Sequence, residues 1–322
     1  MKKSIIFFTV LLLITMNSIA QTNNLFKYVM DVDSLFKANK YTEIIYLFEL
    51  GKKDQTREFH IRMNDYYYIA CCYAKIGDNN NSFNNLNKLL KKYNYSDTTI
   101  FRDKDLDNIK NDDRWSTFKS GVLKNQRLIE IKKVKYAKLK FILDSLNIID
   151  QRQTAYLNLE NLKKYNQHGI DSINKFVNKS AKDRSEEVQR LLKHTPWLNI
   201  SVLGVDAFDM IFLSVQHSGD TKKMKKLLIK YKKNRRTPVE YAHYAMLYDR
   251  IKTKNKNYQR YGTQLIINTT TEKKFYFKIE DFTRLNEYRK YCYFDTIQED
   301  MIWHNMATFQ ESTRLEQDKI KH

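Results

Sequence analysis

The chain has 322 residues, 42% of them hydrophobic and 29% charged, with a formal charge of +20. That length exceeds one typical domain of about 100 to 200 residues, so two are expected, and seven glycines with two prolines argue against a turn-rich all-β sandwich and for long helices on short loops. Three cysteines do not make a disulfide framework, and the absence of CxxC and HExxH excludes the standard zinc signatures.

Lys2 and Lys3 precede an apolar stretch from Ile5 to Ile14, followed by small residues at Ser18 and Ala20. This is the pattern of a secretory signal peptide over residues 1–20. The stretch is about half the roughly 20 residues of a membrane helix, and no transmembrane segment is expected after it. The mature chain is expected to begin near Gln21, periplasmic or secreted, and Gln21 stands where a lipoprotein would need cysteine. Without Lys2 and Lys3 the charge is +18. Such a balance attracts anionic partners and weakens with salt; the alternative is lysines scattered over solvated faces. Export and the lack of a nucleic-acid motif exclude nucleic acid as a partner. An acidic envelope component or acidic protein fits better.

From residue 21 to 126 the spacing predicts helical hairpins. Leu25, Tyr28, Val29, Val32, Leu35 and Phe36 form one apolar face, and Tyr41, Ile44, Ile45 and Phe48 form another after a break at Asn39. The next pair is clearer: Tyr66, Ile69, Ala70 and Tyr73, a break at Gly77 and Asp78, then Phe83, Leu86, Leu89 and Leu90. A large residue, a small one where helices touch, tyrosine three later and glycine at the turn resemble a tetratricopeptide repeat of about 34 residues. Ala70 is then the close-approach residue and Gly77 the positive-φ terminator. The segment Phe101 to Trp115 resembles the ending that follows such repeats in exported bacterial proteins, with Asp112 or Asp113 capping the last helix and Trp115 and Phe118 covering an apolar edge. The resemblance implies capture of a partner protein or peptide.

Residues 127–165 keep helical periodicity, and we expect one long connecting helix from Leu128 to Asn161. Residues 166–322 read as an α-rich domain. Helices are expected near Ser185 to His194, Val205 to His217, Thr221 to Asn234, Pro238 to Thr253, Glu280 to Lys290 and Thr296 to Thr308. Thr263 to Asn268 and Phe275 to Ile279 are β-rich and read as one small hairpin near 263–279. The expected fold class is therefore mainly α.

Asp150-Gln151, Gln216-His217-Ser218-Gly219-Asp220, Tyr248-Asp249-Arg250 and Gln259-Arg260-Tyr261-Gly262-Thr263-Gln264 together resemble an uncharacterised family of exported bacterial proteins, domain of unknown function six-six-two-four. The resemblance spans about half the chain. Two features depart from it: Thr195-Pro196-Trp197 stands where the family has Gly-Trp-Pro, and the arginine expected a few residues after Asp150-Gln151 is Arg152, beside it. The family implies binding positions at Asp150, Gln151, Arg250, Tyr261, Gly262, Thr263 and Gln264, and no reaction.

At about 100° per residue, the helix from Pro238 leaves little room for a solvent face around Asp249. A buried carboxylate there, against the helix dipole, costs several kcal/mol unless held. Arg250, Arg152 or the amides of the Tyr261 to Gln264 turn are the candidates. The choice is between an architectural clasp and a polar pocket built from Asp249, Arg250, Tyr261 and Gln264. His217 points nearly opposite the buried stripe of Phe208, Ile211, Phe212 and Val215. It either completes a helix end, with Gly219 as terminator and Asp220 as the next cap, or forms an acid–base pair with Asp220 suited to hydrolysis or transfer. Catalytic candidates are thus His217, Asp220 and Asp249, with no GxSxG nucleophile motif. A metal held by His217, Asp220 and His243 lacks ligand spacing, and nothing calls for a cofactor. The basic face of Lys222 to Arg236 is a solvated flank or a surface for anionic glycans or lipid headgroups. The sequence favours an exported interaction or scaffold protein, with an envelope hydrolase or transferase as the alternative.

Overall fold

The structure is a computed structural model that describes residues 23–157, 159–256, 258–267 and 274–303. Residues 1–22, where the signal peptide is expected, lie outside the described residues, as does the expected helix end beyond residue 303. The described chain is mainly helical with one two-stranded sheet. Among its helices none is long and apolar enough to cross a membrane.

The elements are α1 (Asn24–Lys37), α2 (Tyr41–Gly51), α3 (Met63–Lys75), α4 (Asn79–Tyr93), 3-10 turns at Thr98–Arg102 and Lys104–Ile109, α5 (Asp113–Lys135), α6 (Ala137–Ala155), α7 (Leu159–Leu162), α8 (Gln167–Leu192), α9 (Ile200–Leu203), α10 (Val205–His217), α11 (Thr221–Asn234), α12 (Pro238–Lys256), β1 (Leu265–Ile267), β2 (Lys274–Tyr276), α13 (Leu285–Tyr291) and α14 (Ile297–Trp303). They form two compact units. One is the described chain up to Leu89 with Asp103–Trp115; the other is Leu90–Arg102 with everything from Ser116 onward. Gly121 of α5 abuts Leu90 of α4 so closely that a Cβ there would meet Leu90 Cδ1 at 2.7 Å. Residues 90–102 and 116–126, expected with the hairpins, belong to the second unit.

In the first unit α1 packs on α2, α2 on α3, and α3 on the second 3-10 turn. Asn23 caps α1 by accepting from the amide of Leu25 at 3.0 Å, and Leu25, Phe26, Tyr28, Val29 and Val32 are buried. Ala70 and Ser82 touch as the small-residue spacing predicts: Ser82 Oγ donates to the Ala70 carbonyl at 2.8 Å. Gly77 adopts φ 80° at the end of α3. Asp112 accepts from the amide of Arg114 at 3.0 Å and so caps α5.

In the second unit α10 is the central element, packing against α6, α8, α9, α11 and α12. Its buried residues Ala207, Phe208, Met210, Ile211, Phe212, Ser214 and Val215 extend well beyond one stripe, as that position requires. The long connecting helix expected from Leu128 is instead two: α5 ends at Lys135, and Tyr136, at φ −107° and ψ 15°, leaves the helical region before α6 begins. The helix expected from Ser185 starts far earlier, at Gln167, because Asn166 caps it by accepting from the Gly169 amide at 2.9 Å. Thr237 and Glu240 form a capping box for α12, with Glu240 Oε2 accepting from the Thr237 amide at 3.0 Å. β1 and β2 pair antiparallel with Ile266 opposite Phe275. Tyr276 of this sheet packs with Leu285, Ile297 and Met301.

Candidate functional site

Asp249 lies in the last part of α12 and is fully buried. Its Oδ1 accepts from the Arg260 amide at 2.7 Å, and its Oδ2 accepts from the Thr263 amide at 3.1 Å and the Thr263 hydroxyl at 2.9 Å. The Tyr261 amide lies 3.1 Å from both oxygens. Burial pushes the Asp249 carboxyl up to about 6, against the pull of these donors. Of the candidate partners, the loop amides hold it. Gly262, at φ 65°, gives the loop its left-handed turn.

The same loop is held from its other side by Arg289, which sequence reasoning passed over. This buried guanidinium donates to the carbonyls of Tyr261 at 3.0 Å and Gly262 at 3.2 Å and pairs with Asp300 at 3.0 Å. Gln259, also fully buried, accepts from the Gln264 amide at 2.7 Å and donates to the carbonyls of Gln264 and Phe277. Arg250 donates to Gln264 Oε1 at 3.2 Å, and burial lowers its pKa. Asp249, Tyr261 and Gln264 are all buried, so these residues clasp a loop onto the side of α12 and do not open as the polar pocket considered from sequence.

A second cluster joins three helices. Asp150 of α6, fully buried, accepts from Arg184 of α8 through Nη2 at 2.8 Å and Nε at 3.2 Å. Arg184 also donates to Ser180 Oγ at 2.7 Å and to Gln153 Oε1. His217, at the end of α10, directs Nδ1 at the same carboxylate. The ring nitrogen is hydrogen-bonded to Oδ1 at 3.1 Å and lies 2.9 Å from Oδ2, which has no hydrogen bond. Burial works to raise the Asp150 pKa, but the hydrogen bond and charge of His217, then those of Arg184, hold it below the usual value. Gln151 beside it is exposed.

The pairing of His217 with Asp220 is replaced by this arrangement. Asp220 Oδ1 accepts from the amides of Lys222 at 2.9 Å and Lys223 at 3.1 Å, and these bonds hold its carboxyl low. It is the cap of α11, after Gly219 at φ 69°. The helix-end reading of this segment thus describes Asp220 and Gly219, while His217 has a partner that local spacing could not show. No hydrogen bond or ion pair among the described residues links His217 to Asp249.

His243 is occupied elsewhere. Its Nδ1 meets the Tyr231 hydroxyl at 3.0 Å, its Nε2 lies 3.2 Å from Asp209, and its ring stacks on Phe212 with centroids 4.2 Å apart. Among the described residues no three His, Cys, Asp or Glu side chains gather as metal ligands. Cys71, Cys72 and Cys292 are buried and not joined in disulfides; burial raises the pKa of Cys71 and pushes Cys72 up to about 12.

Among the clefts that the described residues of the second unit form are three with defined walls. One of about 530 Å³ lies between α6 and the first half of α8, where Ile149, Tyr156, Tyr165 and Phe176 surround Arg152 and Gln153. A smaller one of about 240 Å³ is polar, with Asn94, Asn125, Asn199, Asn234, Lys132 and Arg236 beside Trp197. The third, of about 540 Å³, lies between the C-terminal part of α8 and α11 and has Trp197 as a wall it shares with the second. None of the three is lined by a histidine, cysteine, aspartate or glutamate.

No family model, curated protein or solved structure matches the chain.

Proposed function

We propose that this chain is an exported bacterial binding protein, periplasmic or secreted, in which the three clefts described above serve binding and not catalysis. In this reading the helical hairpins of the first unit hold a partner polypeptide, and the second unit presents clefts for smaller ligands. The observation that carries it is the make-up of the three cleft walls. General acid–base or nucleophilic chemistry needs a titratable or activated side chain within hydrogen-bond reach of the reacting atom. These walls hold the Ser172 and Thr195 hydroxyls with no histidine or carboxylate beside them in the lining to activate them, and otherwise lysine, arginine, amide and aromatic groups, which bind and orient. The buried carboxylates Asp150 and Asp249 have their donors inside the protein, as structural groups do. The tetratricopeptide-like spacing supports a protein partner for the hairpins, and the signal-peptide pattern of residues 1–20, with the resemblance to an exported family, supports the compartment.

Capture from an envelope extract of the source organism tests the reading. Full-length mature chain should retain a specific protein, and Tyr46→Glu with Ile76→Glu, at positions 63% and 47% exposed on the hairpin unit, should diminish that capture without unfolding the chain. Capture unchanged by both substitutions would count against the hairpin role. Turnover of an envelope substrate by the purified chain would overturn the absence of catalysis.

A further inference from the structure

The cleft between α8 and α11 brings an apolar surface and a cationic one together. Its floor is apolar: Leu192 from α8, Ile211 from α10, Leu227 from α11 and the indole of Trp197. Ile211 and Leu227 are only 4% and 6% exposed, so the floor is continuous with the core. Its rim is cationic, with Lys193 on one side and Lys223, Lys226 and Lys230 on α11. The α11 lysines recur at three- and four-residue spacing and share a face. From Lys223 to Lys230 they extend about 10 Å along the axis.

The charges on this rim are unequal in availability. Arg190, which also lines the cleft, is neutralised by Glu187 at 2.6 Å. Lys193, Lys226 and Lys230 have no ion pair among the described residues, while Lys223 hydrogen-bonds the Ser185 hydroxyl at 3.4 Å and shares its charge with the nearby Asp220 carboxylate. With no carboxylate in the lining, the cleft is a local excess of positive potential over an apolar bed. Its volume of about 540 Å³ falls within the range of roughly 300 to 1,000 Å³ typical of small-molecule sites.

We propose that this cleft binds a single anionic amphiphile, with a hydrocarbon body on Trp197, Ile211 and Leu227 and a phosphate or carboxylate head among the lysines. The inference rests on the binding-protein reading above and assigns a ligand class to one of its clefts. A bare hydrated anion would leave the apolar floor uncovered and gain nothing from it. A neutral lipid would gain nothing from the ammonium groups. Only a molecule with both parts uses both surfaces.

Calorimetric titration of the full mature chain with dodecyl phosphate, below its aggregation threshold, tests the proposal. Dodecylphosphocholine supplies the same tail with a zwitterionic head, and inorganic phosphate supplies the anion with no tail. Dodecyl phosphate is expected to bind, with the zwitterion at least about tenfold weaker and inorganic phosphate weaker still. The double variant K226E/K230E should weaken dodecyl phosphate by about tenfold or more. The variant K232E/K233E changes net charge equally on exposed lysines outside the lining and should change affinity by less than about twofold.

Equal loss in the two double variants would overturn the cleft assignment in favour of nonspecific attraction. Binding of inorganic phosphate as tightly as dodecyl phosphate would overturn the amphiphile. Retention by phosphatidylglycerol vesicles without binding of monomeric dodecyl phosphate would replace the single ligand with a membrane surface. Phosphorus NMR separates the two levels of the argument. Cleavage of dodecyl phosphate would sink the noncatalytic reading while leaving the ligand class standing. Intact but unbound dodecyl phosphate would sink the ligand class alone.

Discussion

Nδ1 of His217 lies 3.1 Å from Oδ1 of Asp150, joining the end of α10 to a carboxylate 67 positions earlier in the chain. Arg184 approaches the same carboxylate from a third helix, so one buried anion ties α6, α8 and α10 together. The three groups differ in exposure: the side chains of Asp150 and Arg184 are nearly inaccessible, whereas His217 is 25% exposed.

Arg184→Ala should therefore be the most damaging single change in this cluster. It leaves Asp150 buried without its permanent cation, a situation that typically costs about 3 to 5 kcal/mol. His217→Ala removes a partly exposed partner and should cost less. Urea unfolding of both variants checks the order, and a smaller loss for Arg184→Ala than for His217→Ala would refute it.

Asp249 makes a different prediction about pH. Its folded pKa, about 6, lies above the unconstrained value of 3.8. A carboxyl raised in this way contributes stability that is full below the unfolded pKa and lost as pH rises through the folded one. A shift of about two units corresponds to about 3 kcal/mol. Asp249→Asn removes the titration. The stability gap between the natural chain and this variant should change, to the detriment of the natural chain, from about pH 4 to pH 7. Parallel stability–pH curves would show that the carboxyl titrates where an exposed aspartate does.

At the contact of α3 with α4, Ser82 Oγ donates to the Ala70 carbonyl and both residues are fully buried. Ala70→Leu should destabilise the chain by about 1 to 3 kcal/mol through overpacking. Ser82→Ala should cost about 1 kcal/mol, the worth of an ordinary hydrogen bond. Thermal unfolding distinguishes them, and a neutral Ala70→Leu would contradict the close approach.

Gly262 combines φ 65° with crowding: a Cβ there would sit 3.2 Å from Ile297 Cδ1 and 3.4 Å from Arg289 Nη1. Gly262→Ala should cost about 1 to 2 kcal/mol from the left-handed backbone alone. Equal stability of the variant in chemical denaturation would remove the conformational requirement.

The helical class and several element limits were legible because their signals are local. α10 and α11 begin and end where the periodicity, Gly219 and Asp220 place them. Ala70 and Gly77 were readable for the same reason. The partners of Asp150 were not, since they arrive from positions 34 and 67 residues away. A signal for Arg184 did exist: it falls on the buried stripe of Val177, Ala181 and Val188, where a lone arginine announces a buried acid. This arginine lies one residue before Ser185, where the helix is expected to begin, and so falls outside that window. Asp150 likewise lies one heptad after Leu143, and these two are the buried residues of α6. The cap at Asn166 was a local signal that went unused, and the clefts depend on packing between elements that no window of sequence contains.

Trp197 packs edge-on against Tyr231, with centroids 5.3 Å apart, and against Phe208 at 6.0 Å, while its outer surface borders two clefts. A ring clamped in this way has little freedom to swing aside for a bulkier guest. Size selection on both sides of the indole is consequently decided by the aromatic stack behind it, and a change at Phe208 or Tyr231, out of reach of any guest, would alter what both recesses admit.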